Sequence, residues 1–137
     1  QRRADTLARA SVNAPRLERC RDSAEAGRRL TAILGIGPWT SAEVVRVAYG
    51  DSDAVSVGDW HTPHMVAWAL AGQVRAGARS AGPDARAGAL SPADVRMLEL
   101  LEPFRGHRGR VCLLLERAGY AAPRFGPRMP IRSFATF

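Results

Sequence analysis

Residues 34–40 read "LGIGPWT" and lie between two stretches of helical periodicity. A tight helix-to-helix turn needs glycine where φ becomes positive, and that accounts for one of the two glycines. Two glycines flanking Ile36, followed at once by a helix start, do more. They leave successive backbone N–H groups at a helix N-terminus unobstructed by Cβ atoms, an arrangement that attracts a phosphate. Ile36 is expected to turn inward and pin the turn. Pro38 suits the first position of the next helix, where its missing N–H costs nothing.

Outward from this turn the pattern stays helical, and the expected fold class is all-α, with about six helices around a central helix-hairpin-helix. A short basic helix over 2–10 is expected to be broken by "SVNAPR". A second helix spans 23–33, with Asp22 or Ser23 able to cap it, Glu25 close by, and Leu30, Ile33 and Leu34 on its apolar side. A third runs over 38–49 with Val44, Val45, Val47 and Ala48 as its buried candidates, stopped by Gly50. "AVSV" (54–57) reads as short and extended. A fourth helix starts near Asp59 and runs to Leu70, since Pro63 is tolerated only in a first turn. Residues 72–90, rich in Gly, Ala and Arg, read as a flexible connection. Ser91-Pro92 opens a fifth helix over 92–101 with an N-cap and a proline at N1. "EPFRGHRGR" makes a short break before a sixth over 107–118. These elements form one domain over 1–118, and 119–137 reads as an irregular basic tail.

The chain of 137 residues carries a formal net charge of +7, which points to a polyanionic partner, with nucleic acid ahead of an anionic membrane surface. All 20 basic residues are arginine. No side chain can therefore form a Schiff base, and lysine-based covalent catalysis is excluded within this chain. The two cysteines, Cys20 and Cys112, lack any metal-type spacing, so neither a zinc site nor an iron–sulfur cluster is supported. Free thiols without a secretion signal fit a reducing cytoplasm, and no apolar run approaches a membrane span.

A phosphate clamp carries no reaction by itself. Asp59 lies 22 residues beyond Gly37, within "VSVGDWHTPHMVAWAL". Aspartate at a helix start is commonly an N-cap, but the same position holds a carboxylate in place and keeps it ionised through the helix dipole. Such an anion suits the stabilisation of developing positive charge or the activation of water. Asp59, His61 and His64 also admit a metal-ligand reading. The sequence supplies no further strong partner, so a surface or capping role for the two histidines is expected and no metal site is.

Taken together, "LTAILGIGPWTSAEVV", "DAVSVGDWHTPHMVAWAL" and "LEPFRGHRGRVCLLL" resemble the helix-hairpin-helix DNA glycosylase superfamily, and within it the 3-methyladenine glycosylase II type. The match covers roughly residues 25–118. The resemblance implies that Leu34, Gly35, Ile36, Gly37 and Thr40 hold a DNA phosphate and that carbonyls of the hairpin bind a monovalent cation. It implies that Asp59 is the essential catalytic aspartate and that Trp39, Trp60 and Phe104 line a base pocket. Trp39 falls where lyase-type relatives carry their Schiff-base lysine. One turn later, where some relatives carry an aromatic, this chain has Glu43. The resemblance further implies additional helices upstream of residue 1, which supply the other wall of the cleft and the residue wedged into the DNA stack.

The expectation is then a monofunctional base-excision repair enzyme, a hydrolase working as a monomer on double-stranded DNA without a cofactor, cytoplasmic and nucleoid-associated. The target nucleotide is flipped out and stacked on aromatics, and a cationic alkylated purine is favoured by cation–π attraction. The leading rival is a non-catalytic helix-hairpin-helix module that binds DNA without sequence preference. A helical interaction protein with no nucleic-acid role is the second.

Overall fold

The structure is a computed structural model and describes residues 2–76 and 90–123. Among these residues the fold is all-α: α1 (Arg2–Leu17), α2 (Ser23–Thr31), α3 (Pro38–Ala48), α4 (Thr62–Ala71), α5 (Pro92–Leu101) and α6 (Arg108–Arg117), with a 3₁₀ turn over Glu102–Phe104. The expected connection falls largely outside the described residues (77–89), as does most of the expected tail (124–137). No described helix is long and apolar enough to cross a membrane.

Two small cores organise the chain. In the first, α4 packs on α5 and α6. Val66, Met97 and Leu101 are fully buried there, with Val55, Val57, Val111 and Leu115 packed around them. Each such side chain contributes about 1.5–3 kcal/mol of transfer free energy. In the second core, Ala26 and Leu30 of α2 meet Val45 of α3, and Leu17, Ile36 and Ala54 close its edge. The extended stretch 54–57 joins the cores by alternation: Ala54 faces the second, Val55 and Val57 the first.

Local chemistry sets most helix boundaries. The Glu25 amide donates to Asp22 Oδ1 at 2.7 Å, while Glu25 Oε2 accepts the Arg21 amide at 3.0 Å, so α2 starts as its caps require. Ser91 and Asp94 form a reciprocal capping box at the start of α5, with Pro92 next. Four expectations are corrected. α1 does not break at "SVNAPR" but continues through Pro15 to Leu17. Its terminal carbonyls are held by tertiary donors: Arg29 Nη1 reaches the Arg16 carbonyl at 2.8 Å, and the Tyr49 hydroxyl reaches that of Leu17 at 3.2 Å. These bonds, with Leu17 packed in the core, offset the proline. α2 ends at Thr31 rather than 33, so Leu34 leaves the helical face and is exposed.

On α3 only Val45 of the four apolar candidates is buried; Val44, Val47 and Ala48 are exposed. The inward face is set by Ser41, whose hydroxyl donates to the Gly27 carbonyl at 3.3 Å, so the two helices meet through small residues. Finally, α4 begins at Thr62, not at Asp59. The Asp59 carboxylate accepts the amides of His61 and of Thr62, the first residue of α4, so residues 59–61 form a turn that leads into the helix.

Candidate functional site

The turn between α2 and α3 is built around two glycines with different reasons to be glycine. Gly35 has φ +101°, and a Cβ there would sit 2.2 Å from Thr6 Oγ1 of α1. Both backbone conformation and the close approach of α1 require it. Gly37, the N-cap of α3, has φ −95°, and a Cβ there would meet nothing within 4 Å. Neither conformation nor internal packing demands glycine at this position. No side chain caps the first amides of α3. Ile36 turns inward onto the second core as expected, and its amide donates to the Ile33 carbonyl at 2.9 Å. Arg9 of α1 donates to the Leu34 carbonyl at 3.3 Å and the Ser41 amide to that of Gly37 at 3.0 Å, so three of the turn's carbonyls already have protein donors. Leu34, Gly35 and Gly37 are exposed and Thr40 is half-buried.

Immediately after the turn, Trp39 faces a cleft of 1390 Å³ bounded by α3, the stretch 54–61, α4, α6 and residues 120–123. Asp59 and Trp60 line the same cleft. Phe104 is not among its lining residues; it sits in the 3₁₀ turn after α5, 40% exposed. Thr40 lies on a separate shallow groove with Val44 and Val47. The structure thus brings together Trp39, Asp59 and Trp60, and leaves Phe104 and Thr40 apart from them.

Asp59 is half-buried in the cleft wall. Its Oδ2 accepts three hydrogen bonds: from the His61 amide at 2.9 Å, the Thr62 amide at 2.6 Å and the Thr62 hydroxyl at 2.7 Å. Its Oδ1 has no partner among the described residues and is not sealed from solvent. Burial opposes ionisation, but the Thr62 and His61 donors outweigh it, and the carboxyl is held below the usual range. The result is an ionised carboxylate, fixed through one oxygen and open through the other. Of the two histidines, His61 is exposed. His64 meets Trp60 edge to face with ring centroids 5.9 Å apart, and its Nδ1 accepts the Ala76 amide at 3.1 Å. Burial, with Arg75 and His61 nearby, pushes the His64 pKa down, in keeping with a neutral ring that accepts a bond. The Cys112 thiol also borders the cleft, and burial pushes it up to about 11; it is a neutral wall, not a nucleophile.

Three residues that frame Asp59 are not evident from local sequence patterns. Asp94, 3% exposed, completes the α5 capping box with Oδ2 and accepts the Gly58 amide on Oδ1 at 2.9 Å. The "SPAD" pattern signals the cap; the reach to Gly58, 36 residues away, has no local signal. Glu43 accepts the Ser56 hydroxyl on one oxygen and Arg46 on the other, tying α3 to the stretch that carries Asp59. Asp53 binds the start of α6: its Oδ1 accepts the amides of Gly106 and Arg108 at 2.8 and 3.0 Å, and its Oδ2 pairs with the Arg108 guanidinium. Gly109 lets α6 dock on this stretch, since a Cβ there would lie 2.1 Å from the Ala54 carbonyl oxygen. No family model, no curated protein and no solved structure matches this chain.

Proposed function

We propose that this chain is a monofunctional DNA glycosylase that hydrolyses the N-glycosidic bond of a damaged base, an alkylated purine, flipped out of duplex DNA. The observation that carries the reading is the half-used carboxylate of Asp59. It is ionised, held through Oδ2 by three donors and free at Oδ1, and it lines a cleft that also presents Trp39. Support also comes from Gly37, a glycine the fold does not need, at an uncapped helix start beside that cleft. A phosphate can approach the amides there because no Cβ intervenes. The net charge of +7 favours a polyanion.

The chemistry follows from these groups. The phosphate on the turn anchors the strand, and the flipped base stacks on the indole faces. The C1′–N bond breaks with its electron pair leaving on the base, and positive charge develops on the sugar. The fixed anion at Asp59 stabilises that charge. Water then attacks C1′ and gives up one proton to bulk solvent, and an abasic sugar remains. With no lysine in the chain, no Schiff base forms and the strand is not cut. The test is to incubate the protein with methylated duplex DNA and chromatograph the products. Free methylated purine, uncut strands and no protein–DNA adduct trapped by borohydride are expected. DNA binding without base release would establish the non-catalytic module instead, and binding insensitive to salt would exclude phosphate contacts altogether.

A further inference from the structure

The first turn of α4 fixes two consecutive cleft residues by different means. Asp59 is tied to Thr62 through its carboxylate. Trp60, the next residue, meets the ring of His64 edge to face, with centroids 5.9 Å apart and planes at 84°. The indole is 73% exposed, and among the described residues no other aromatic ring pairs with it. A side chain so little packed keeps its rotamer freedom unless a specific contact removes it. Edge-to-face pairing at this separation is such a contact.

The His64 ring is itself fixed through one nitrogen. Ala76 is 1% exposed, so its amide is out of water and needs an acceptor. His64 Nδ1 supplies it at 3.1 Å. A neutral imidazole has one N–H donor and one acceptor, so the proton of His64 sits on Nε2. Protonation would place an N–H on Nδ1 against the N–H of Ala76 and break the bond. Besides burial, the charged or titratable groups that bear on the ring are Arg75, next to Ala76, and His61, ahead of α4, and both act against protonation. Val74 and Arg75 line the cleft. A single ring therefore holds a wall segment through its nitrogen and Trp60 through its aromatic contact.

We infer that His64 is a positioning residue: as the Nε2–H tautomer it sets the Trp60 indole at the cleft beside Asp59 and ties it to the wall at residues 74–76. The use of Trp60 as a stacking platform for a base rests on the glycosylase reading; the fixed tautomer and the hold on the indole do not. Two measurements test the inference. The first is made on the wild-type protein by 15N nuclear magnetic resonance. At neutral pH the His64 proton is found on Nε2. On acidification the Trp60 indole N–H signal, identified by its loss in Trp60→Phe, shifts with the same midpoint as the His64 ring, below the ordinary 6.5. A proton on Nδ1, or a Trp60 signal indifferent to the titration of His64, overturns the inference. The second is single-turnover release of methylated purine, measured beside affinity for the same duplex. His64→Gln, whose amide oxygen can still accept from Ala76, slows release about fivefold, the worth of one aromatic pair, with affinity unchanged. In Trp60→Ala the same substitution has no further effect, because His64 acts through that indole. Losses that multiply in the double variant overturn the inference. If no base is released by any form while the resonance signature is present, the glycosylase reading fails and the hold of His64 on Trp60 stands.

Discussion

Two aspartates of the stretch between α3 and α4, six residues apart, are used in opposite ways. Asp53 spends both oxygens inside the protein, on two amides and a guanidinium, and fastens the start of α6. Asp59 spends one oxygen on its own turn and leaves the other open to the cleft. Asp94 behaves like Asp53, with both oxygens engaged and the side chain buried. The difference separates carboxylates whose two oxygens both hold the fold from one that keeps an oxygen free. A saturated carboxylate has no lone pair aimed outward, and removing it leaves buried donors unpaired. Asparagine in place of the unsaturated one can keep an oxygen on the three donors and turn its nitrogen to the free side, with little loss of stability.

That contrast can be broken by swapping which aspartate is altered. Asp53→Asn should lower stability by about 2–3 kcal/mol, because Arg108 loses its counter-charge and an amide nitrogen now faces N–H donors. Asp59→Asn should move the denaturation midpoint far less. Equal losses in urea melts would erase the distinction. The two glycines sharpen the same point one step down in size. Gly35→Ala forces positive φ on an L-residue and drives a Cβ into Thr6, costing more than about 1 kcal/mol. Gly37→Ala should change stability by less than about 0.5 kcal/mol yet weaken DNA binding, since its Cβ lies where the phosphate would approach.

The same contrast extends to acid sensitivity. The Arg108 guanidinium, against a lesser cost of burial, holds the Asp53 carboxyl down to about 2 from an ordinary 3.8. A pKa depressed in the folded state gives stability that is complete above the unfolded value and lost as pH falls towards the folded one. After allowance for solvent screening this amounts to about 1–2 kcal/mol, lost between roughly pH 4 and pH 2. The pH dependence of the urea midpoint should therefore be shallower in Asp53→Asn than in wild type over that window.

How far the sequence disclosed all this follows from the range of each interaction. Caps and prolines act within four residues, so the α2 and α5 starts and the Pro38 and Pro63 positions were readable. So was Ile36, whose inward turn follows from the apolar residue between two glycines. Failures came where a distant group decides. α1 outlasts Pro15 because Arg29 and Tyr49 hold its end. α3 buries Ser41 instead of Val47, with the Ser41 hydroxyl donating to the Gly27 carbonyl of α2. In the cleft, position and spacing single out Asp59, while Trp39 and Trp60 follow from the resemblance alone. The Glu43–Ser56 tie and the Asp94 bond to Gly58 join residues 13 and 36 positions apart, and no local pattern encodes them. Phe104 was grouped with Trp39 by resemblance alone, and the chain carries it to a different surface.

The central claim is that the open oxygen of Asp59 does the chemistry while the turn at Gly35–Gly37 does the holding. Single-turnover release of methylated purine by Asp59→Asn, measured beside its affinity for the same duplex, tests this most directly. The account predicts release at least ~10²-fold slower with affinity within about twofold of wild type. Release at the wild-type rate, or an affinity that collapses together with the rate, would contradict it.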